Sequence, residues 1–314
     1  MQTDGKVAVV FPGQGTQRPG MGEDFFHAIA AGRAVYEEAS DLLGWDVAHM
    51  CFKENDLIDL TEYAQPCIFT TEIAMFRGIE NTWGLTADVF GGHSVGEYAA
   101  MAASGAMPFA EALKAVRERG RLMQTAFPEK AGGMLAVIGK DLSPERIRDE
   151  IAHLSVDVAN INSTSQVVIS GCFDGLNKSR KIIAESVTDT QSIRFVPLNV
   201  SAPFHSRFMA GIEEDFRAVL VSVKESLHSA SAQQVTSNYT GGFHPDDVDA
   251  VIDNLVFQIS GTVQWRQNMD RFCEKADTVY EIGPHRPLKQ FFKSIEIECK
   301  SITTLAAAER TFSA

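Results

Sequence analysis

Residues 88–100 read DVFGGHSVGEYAA. Asp88-Val89-Phe90 has the make-up of a short strand, and the residues from Val95 onward have the small apolar character of a buried helix. Between them, Gly92-His93-Ser94-Val95-Gly96 matches G-x-S-x-G. A strand that runs straight into a helix through five residues must turn sharply, and Ser94 takes the strained corner. The glycines two positions to either side remove side chains that would collide there. The hydroxyl is then presented at a helix N-terminus, where free N–H groups and the dipole favour developing negative charge. The N–H of Val95 is the first oxyanion donor this geometry offers. A serine in an ordinary strand-to-helix loop can carry the same five residues by chance. The strand–turn–helix context separates the two readings.

The chain on either side alternates strands with helices, which predicts a mainly parallel sheet. KVAVVF (6–11) is a first strand that stops at Pro12-Gly13. Helices are expected over 21–44, 64–83, 95–104 and 108–125. The pattern then changes over 131–199. GGMLAVIG, LSPERIRDEIAHL, VDVANINS, QVVISG, DGLNKSRKIIAES and SIRFVPLN read β-α-β-β-α-β, the order of a ferredoxin-like unit. This predicts a small subdomain at 131–199 inserted into a larger α/β body formed by 1–130 and 200–314. The body resumes with a helix at 207–224, a strand at 234–238, helices at 248–259 and 265–275, a strand at 279–283 and a last helix from about 286.

Composition narrows the function classes. The 314 residues are 45% hydrophobic and 22% charged, ordinary for a globular chain. No stretch reaches the roughly 18 consecutive apolar residues of a membrane helix. The net charge of −13 weighs against nucleic acid or an anionic membrane as partner. The five cysteines are scattered with no CxxC pair, so neither a disulfide framework nor a zinc site is expected, and the reducing cytoplasm fits.

Ser94 needs a base. Among eight histidines, His205 stands out in Ser201-Ala202-Pro203-Phe204-His205-Ser206, after a strand and before a helix, where α/β bodies place catalytic loops. A third group must orient its imidazole. Either an Asp or Glu from elsewhere in the chain or a backbone carbonyl fills that role. His93, next to the nucleophile, points away from it and reads as a packing and hydrogen-bonding residue. Phe11-Pro12-Gly13-Gln14-Gly15 lacks both the G-x-G-x-x-G and GK[ST] signatures of nucleotide loops. Two readings fit it: a plain tight turn, or a turn that aims the Gln14 N–H at the oxyanion. Ala112, Val116, Arg119 and Met123 share one helix face, otherwise apolar. An arginine there must find an anion. Its planar fork suits a carboxylate, either an internal Asp or Glu or the free end of a dicarboxylic acyl group.

Taken together these segments resemble the malonyl-CoA:acyl carrier protein transacylases and the acyltransferases of polyketide synthases. The likeness rests on FPGQGTQ (11–17), Gln65-Pro66, GHSVGE (92–97), VRERGRLMQ (116–124), NINSTSQVVISG (160–171), SAPFHSRFM (201–209), VQW (263–265) and EIGP (281–284). SAPFHSRFM is most like the free-standing, trans-acting polyketide enzymes. The resemblance implies an α/β-hydrolase-like body with the inserted ferredoxin-like subdomain. It implies Ser94 as nucleophile, His205 as base, Gln14 and Val95 as oxyanion donors, and a backbone carbonyl near Gln264 as the group that holds His205. It puts the carboxylate-binding arginine on Arg119. Met123, Phe204, Asn162 and His93 are expected around the substrate, with the bulk of Phe204 leaving little room for an α-methyl group. The implied substrate is malonyl-CoA and the implied partner an acyl carrier protein, with no metal or other cofactor.

Four alternatives remain at this level. A proofreading acyl hydrolase of the same fold would keep Ser94 and His205 but lack Arg119. A non-catalytic docking subunit would tolerate loss of the nucleophile or base. A general esterase would show a carboxylate third member and has no reason for FPGQG. A transferase for an unusual dicarboxyl extender unit would keep every residue named.

Overall fold

β1 (Val7–Phe11) is buried at all five positions because it lies inside a parallel sheet with layers on both faces. The structure is a computed structural model, and it describes residues 5–128, 131–186 and 193–313. β2 (Val89–Gly92) lies on one side of β1, and β7 (Thr278–Ile282) and then β8 (Cys299–Ile302) on the other, all parallel. Phe11 pairs with Gly92 in this register. The two turns that follow β1 and β2 therefore leave the sheet side by side at its C-terminal edge, where parallel sheets carry their sites. The 23-residue helix Thr61–Trp83 packs behind them, buried over most of its length.

The second sheet is antiparallel, in the order β4-β5-β3-β6. Its strands are β3 (Gly132–Ile138), β4 (Val156–Ser163), β5 (Gln166–Cys172) and β6 (Arg194–Pro197). Helices Pro144–Ile151 and Phe173–Ser186 complete the β-α-β-β-α-β unit expected from the sequence. Leu135, Val137, Ile147, Ile151, Val158, Ile169 and Ile183 form a core of their own beneath this sheet. Residues 129–130, just before the expected unit, and 187–192, within it, lie outside the described residues.

Several expectations shift. The helix expected over 21–44 is two, Glu23–Ala28 and Ala30–Leu43, with Ile29 extended between them. The helix expected from 64 begins at Thr61 and takes Pro66 inside it. The segment 207–224 opens as a 3-10 turn, Arg207–Ile212, before the α-helix Glu213–Ser222. The strand expected at 234–238 makes only isolated bridges, Val235 with Phe90 and Thr236 with Phe243. The last helix stops at Lys293, and β8 and the helix Leu305–Phe312 follow it.

Candidate active site

The elbow after β2 is as tight as its glycines demand. A Cβ on Gly92 would sit 2.0 Å from the Gly96 carbonyl, and one on Gly96 would sit 2.4 Å from the Phe11 and Pro12 carbonyl oxygens. Ser94 takes a left-handed backbone, φ 54°. Non-glycine residues rarely adopt that region, and they hold it at functional sites when surrounding bonds enforce it. Asn238 supplies two of those bonds. Its Oδ1 accepts the Ser94 N–H at 2.8 Å, and its Nδ2 donates to the Gly92 carbonyl at 2.6 Å. Its own N–H donates to Glu97 at 3.0 Å, so the buried Glu97 carboxylate anchors the clamp.

His205 also has φ 54°. Its Nε2 lies 2.8 Å from Ser94 Oγ, and its Nδ1 donates to the Gln258 carbonyl at 2.8 Å. Burial, and then the charge of Arg119, push the imidazole down to about 3, against the pull of the Gln258 and Gly261 carbonyls. It is neutral near pH 7 and free to take a proton.

The orienting carbonyl was expected near Gln264, and the structure corrects that. The Gln264 carbonyl accepts the Asn268 N–H at 3.0 Å and so starts the helix Trp265–Lys275. Gln258 instead follows the end of the helix Val248–Phe257. Carbonyls at a helix C-terminus have no intrahelical donor left, so this one is available to His205.

Arg119 is fully buried. One terminal nitrogen donates to Gln65 Oε1 at 2.8 Å. The other donates to Gln258 Oε1 at 2.8 Å and to Ser94 Oγ at 3.2 Å. Its Nε has no partner among the described residues. The acceptors it does have are neutral amides and a hydroxyl, so the internal carboxylate pair considered from sequence is not formed. The guanidinium also stands over the Tyr98 ring, 5.6 Å from its centroid. Desolvation holds its pKa below the usual arginine value.

Gln14, His93, Met123 and Phe204 line a pocket of about 80 Å³ with Gln65, Ser94 and His205, whereas Asn162, expected around the substrate, lies outside its wall behind His93, and Asn160 lines it instead. The N–H groups of Gln14 and Val95 have no partner among the described hydrogen bonds. The register of β1 and β2 brings their two turns together. Gln65 Nε2 reaches only Met123 Sδ at 3.6 Å and Gln14 Oε1 at 3.4 Å, so its amide is loosely held. His93 Nε2 bonds Asn162 Oδ1 at 2.8 Å, and Asn162 in turn donates to Gln166 at 2.7 Å. The His93 ring also contacts Trp265 and Phe291. A second cleft, of about 400 Å³, reaches His205 between Arg148, Asp157, Arg207 and residues 260–262. It is larger than the first pocket but does not include Ser94, and the hydroxyls of Ser260 and Thr262 in its wall are bonded to Glu213 and to the Val158 carbonyl.

Sequence reasoning missed Gln258 and Asn238, and Glu97 was visible in GHSVGE but had no role. Gln65 was visible as part of a motif but had no role. Among the described residues, no group of three or more His, Cys, Asp and Glu is arranged to hold a metal ion, and no helix is long and apolar enough to cross a membrane.

Comparison with known proteins places the fold in a family. The model of the acyl transferase domain family matches residues 8–306. The malonyl CoA-acyl carrier protein transacylase of Bacillus subtilis (strain 168) is 32% identical over 302 residues, covering 95% of this chain and 92% of that protein. The crystal structure of the malonyl CoA-acyl carrier protein transacylase from Clostridium perfringens superposes with a TM-score of 0.89 at 32% identity, over 98% of this chain and 96% of that one. A malonyl-transacylase solved in complex with its type II PKS acyl-carrier protein superposes with a TM-score of 0.87 at 28% identity, over 98% and 99%. With a family match spanning nearly its whole length, this chain belongs to the acyl transferase domain family.

Proposed function

We propose that this chain moves a malonyl group from malonyl-CoA to the phosphopantetheine thiol of an acyl carrier protein through an ester on Ser94. His205 Nε2 takes the proton of Ser94 Oγ, and the oxygen attacks the thioester carbonyl. The N–H groups of Gln14 and Val95 hold the oxyanion. Collapse breaks the carbon–sulfur bond, and His205 returns the proton to the departing coenzyme A thiolate. The carrier's thiol then gives its proton to His205 and takes the malonyl group from Ser94, which recovers its hydrogen. This is ping-pong chemistry. Its atoms balance without a metal or redox group, and coenzyme A enters only as part of the substrate.

The observation that carries the reading is Arg119, a buried guanidinium 3.2 Å from the nucleophile with only neutral acceptors. A malonyl carboxylate supplies the missing anion. Gln65 is the amide that yields to it, because Gln258 is fastened to the Ser94 carbonyl and to Glu97. Phe204 and Met123, both buried, keep the acyl pocket narrow. The same reading takes 1–130 with 200–314 as the catalytic body and 131–199 as a subdomain that shields the ester from water. The separate core of that unit supports this. The free state of all five cysteines supports a cytoplasmic setting.

Carrier proteins of the systems this chain resembles are acidic, as this chain is, so docking calls for a local basic patch, and two are candidates. In Lys178, Arg180 and Lys181, the first lysine is tied to Asp174 and the arginine lies over Phe195. Arg286, Lys289 and Lys293 are exposed on and beside the helix Leu288–Lys293, whose Phe291 touches His93. That proximity to the nucleophile favours the second patch.

Intact-mass measurement after mixing with malonyl-, methylmalonyl- and acetyl-CoA tests the assignment. A malonyl adduct on the wild type, absent in Ser94→Ala, is expected. No malonyl adduct on the wild type ends this reading.

A further inference from the structure

Ser94 Oγ touches a cation and a neutral base at once. It lies 2.8 Å from His205 Nε2 and 3.2 Å from a terminal nitrogen of Arg119. One oxygen atom therefore separates a buried guanidinium, bonded only to neutral acceptors among the described residues, from the base that must become positively charged during the reaction. A cation in that place opposes the arrival of a second cation on the imidazole, and in a buried site little solvent screens the opposition. We infer that Arg119 is also an electrostatic gate on His205: the substrate's carboxylate, by neutralising the guanidinium, releases the histidine to accept the serine proton. This rests on the malonyl-transfer reading and adds a second layer of selection. A neutral acyl group is then penalised in the chemical step as well as in binding, because it leaves the gate closed.

The surroundings agree. The groups facing the pair are few. His93 adds a second imidazole on the elbow side, Tyr98 and Glu97 face Arg119 from the helix Gly96–Ala103, and the Gln258 and Gly261 carbonyls face His205. Glu97 is the one anion among them. Its oxygens are already taken by His244, by the Asn238 N–H and by Gln258 Nε2. It makes no direct bond to Arg119, so the counter-charge must come with the substrate. Asp157 and Arg207, in the neighbouring cleft, pair with each other. Burial is the larger restraint on His205 and Arg119 the second, so neutralisation relieves part of the restraint and leaves the imidazole below its ordinary range.

The test is a histidine-selective NMR titration between pH 4.5 and 8.5, with the His205 signal identified by its loss in His205→Gln. Four samples are compared: free wild type, malonyl-loaded wild type, wild type acetylated on Ser94 with excess acetyl-CoA, and Arg119→Gln. Mass spectrometry verifies each ester. His205 is expected to stay neutral throughout in the free and acetylated proteins. In the malonyl ester and in Arg119→Gln it should begin to titrate at the acid end of this range, a rise of roughly one and a half units or more and so a thirtyfold or greater change in proton affinity. A His205 signal that behaves alike in the malonyl and acetyl esters, titrating in both or in neither, overturns the gate. That comparison differs only in the carboxylate and needs no folded variant. If the malonyl ester never forms, the assignment of the reaction fails first, and the mass measurement reports it separately.

Discussion

Arg119 carries more of the substrate choice than any other side chain. A guanidinium with no anion in the free protein, and a carboxylate in the loaded one, gains most of its stabilisation when a dicarboxylic acyl group arrives. Arg119→Ala should therefore lower malonyl kcat/KM by roughly 10²-fold and shrink the preference over acetyl-CoA by a similar factor. Loading kinetics followed by mass or by free thiol release check this. Unchanged selectivity in the variant would show that the arginine has no part in recognition. The residue could be located from sequence because it interrupts an apolar helix face. Its partners could not, since Gln65 and Gln258 lie 54 and 139 positions away in the chain.

At the scale of elements, the elbow and the long helix behind it make opposite predictions. Gly96 leaves 2.4 Å between a notional Cβ and two backbone oxygens of the turn after β1, and backbone cannot step aside cheaply. Gly96→Ala is expected to destabilise the protein by several kcal/mol and to abolish loading, read as a fall in Tm and loss of the malonyl adduct. Glu72, on the helix Thr61–Trp83, is a liability instead. It is fully buried, and neither carboxyl oxygen has a partner among the described residues. Burial, and then the nearby Glu281, hold its pKa well above the usual carboxylate range. A group whose pKa is raised by folding stabilises the fold below its unfolded value, and that contribution is lost as pH rises through the folded value. Glu72→Met should thus stabilise by about 1–3 kcal/mol near neutral pH. The gain should be smaller at pH 5 than at pH 8, as denaturant melts at the two values would show. A gain that grows toward acid would mean the carboxyl is paired after all.

The whole molecule is acidic, and under the proposed function it must meet an acidic carrier. Its net charge of −13 repels a carrier protein at long range, so a local basic surface beside the site must capture it. Reversing Lys289 and Lys293 to Glu should cut the transfer step at least tenfold at low salt and leave loading from malonyl-CoA within about twofold. Stopped-flow of the two half-reactions separates these outcomes. An equal loss in both steps would place the patch at the coenzyme A entrance instead.

What the sequence determined is what depends on neighbours in the chain. The strand, the two glycines, the serine and the helix of the elbow fall within 88–103, and the period-2 and period-3.6 runs of 132–186 specify the second sheet, because side-chain spacing and steric clash act over a few residues. Arg119 was legible because it interrupts an apolar helix face and His205 because it sits in a strand-to-helix loop, while the role of each came from the resemblance. The tertiary structure decided what closes across the chain. It chose the Gln258 carbonyl over the one at Gln264, and it brought Asn238 and Glu97 beneath the elbow. It reduced the strand expected at 234–238 to two bridges and added β8 beyond the last expected helix. A hydrogen bond between residues more than 50 positions apart leaves no periodic trace, and whether a buried charge finds an anion is settled only when every packed side chain is in place.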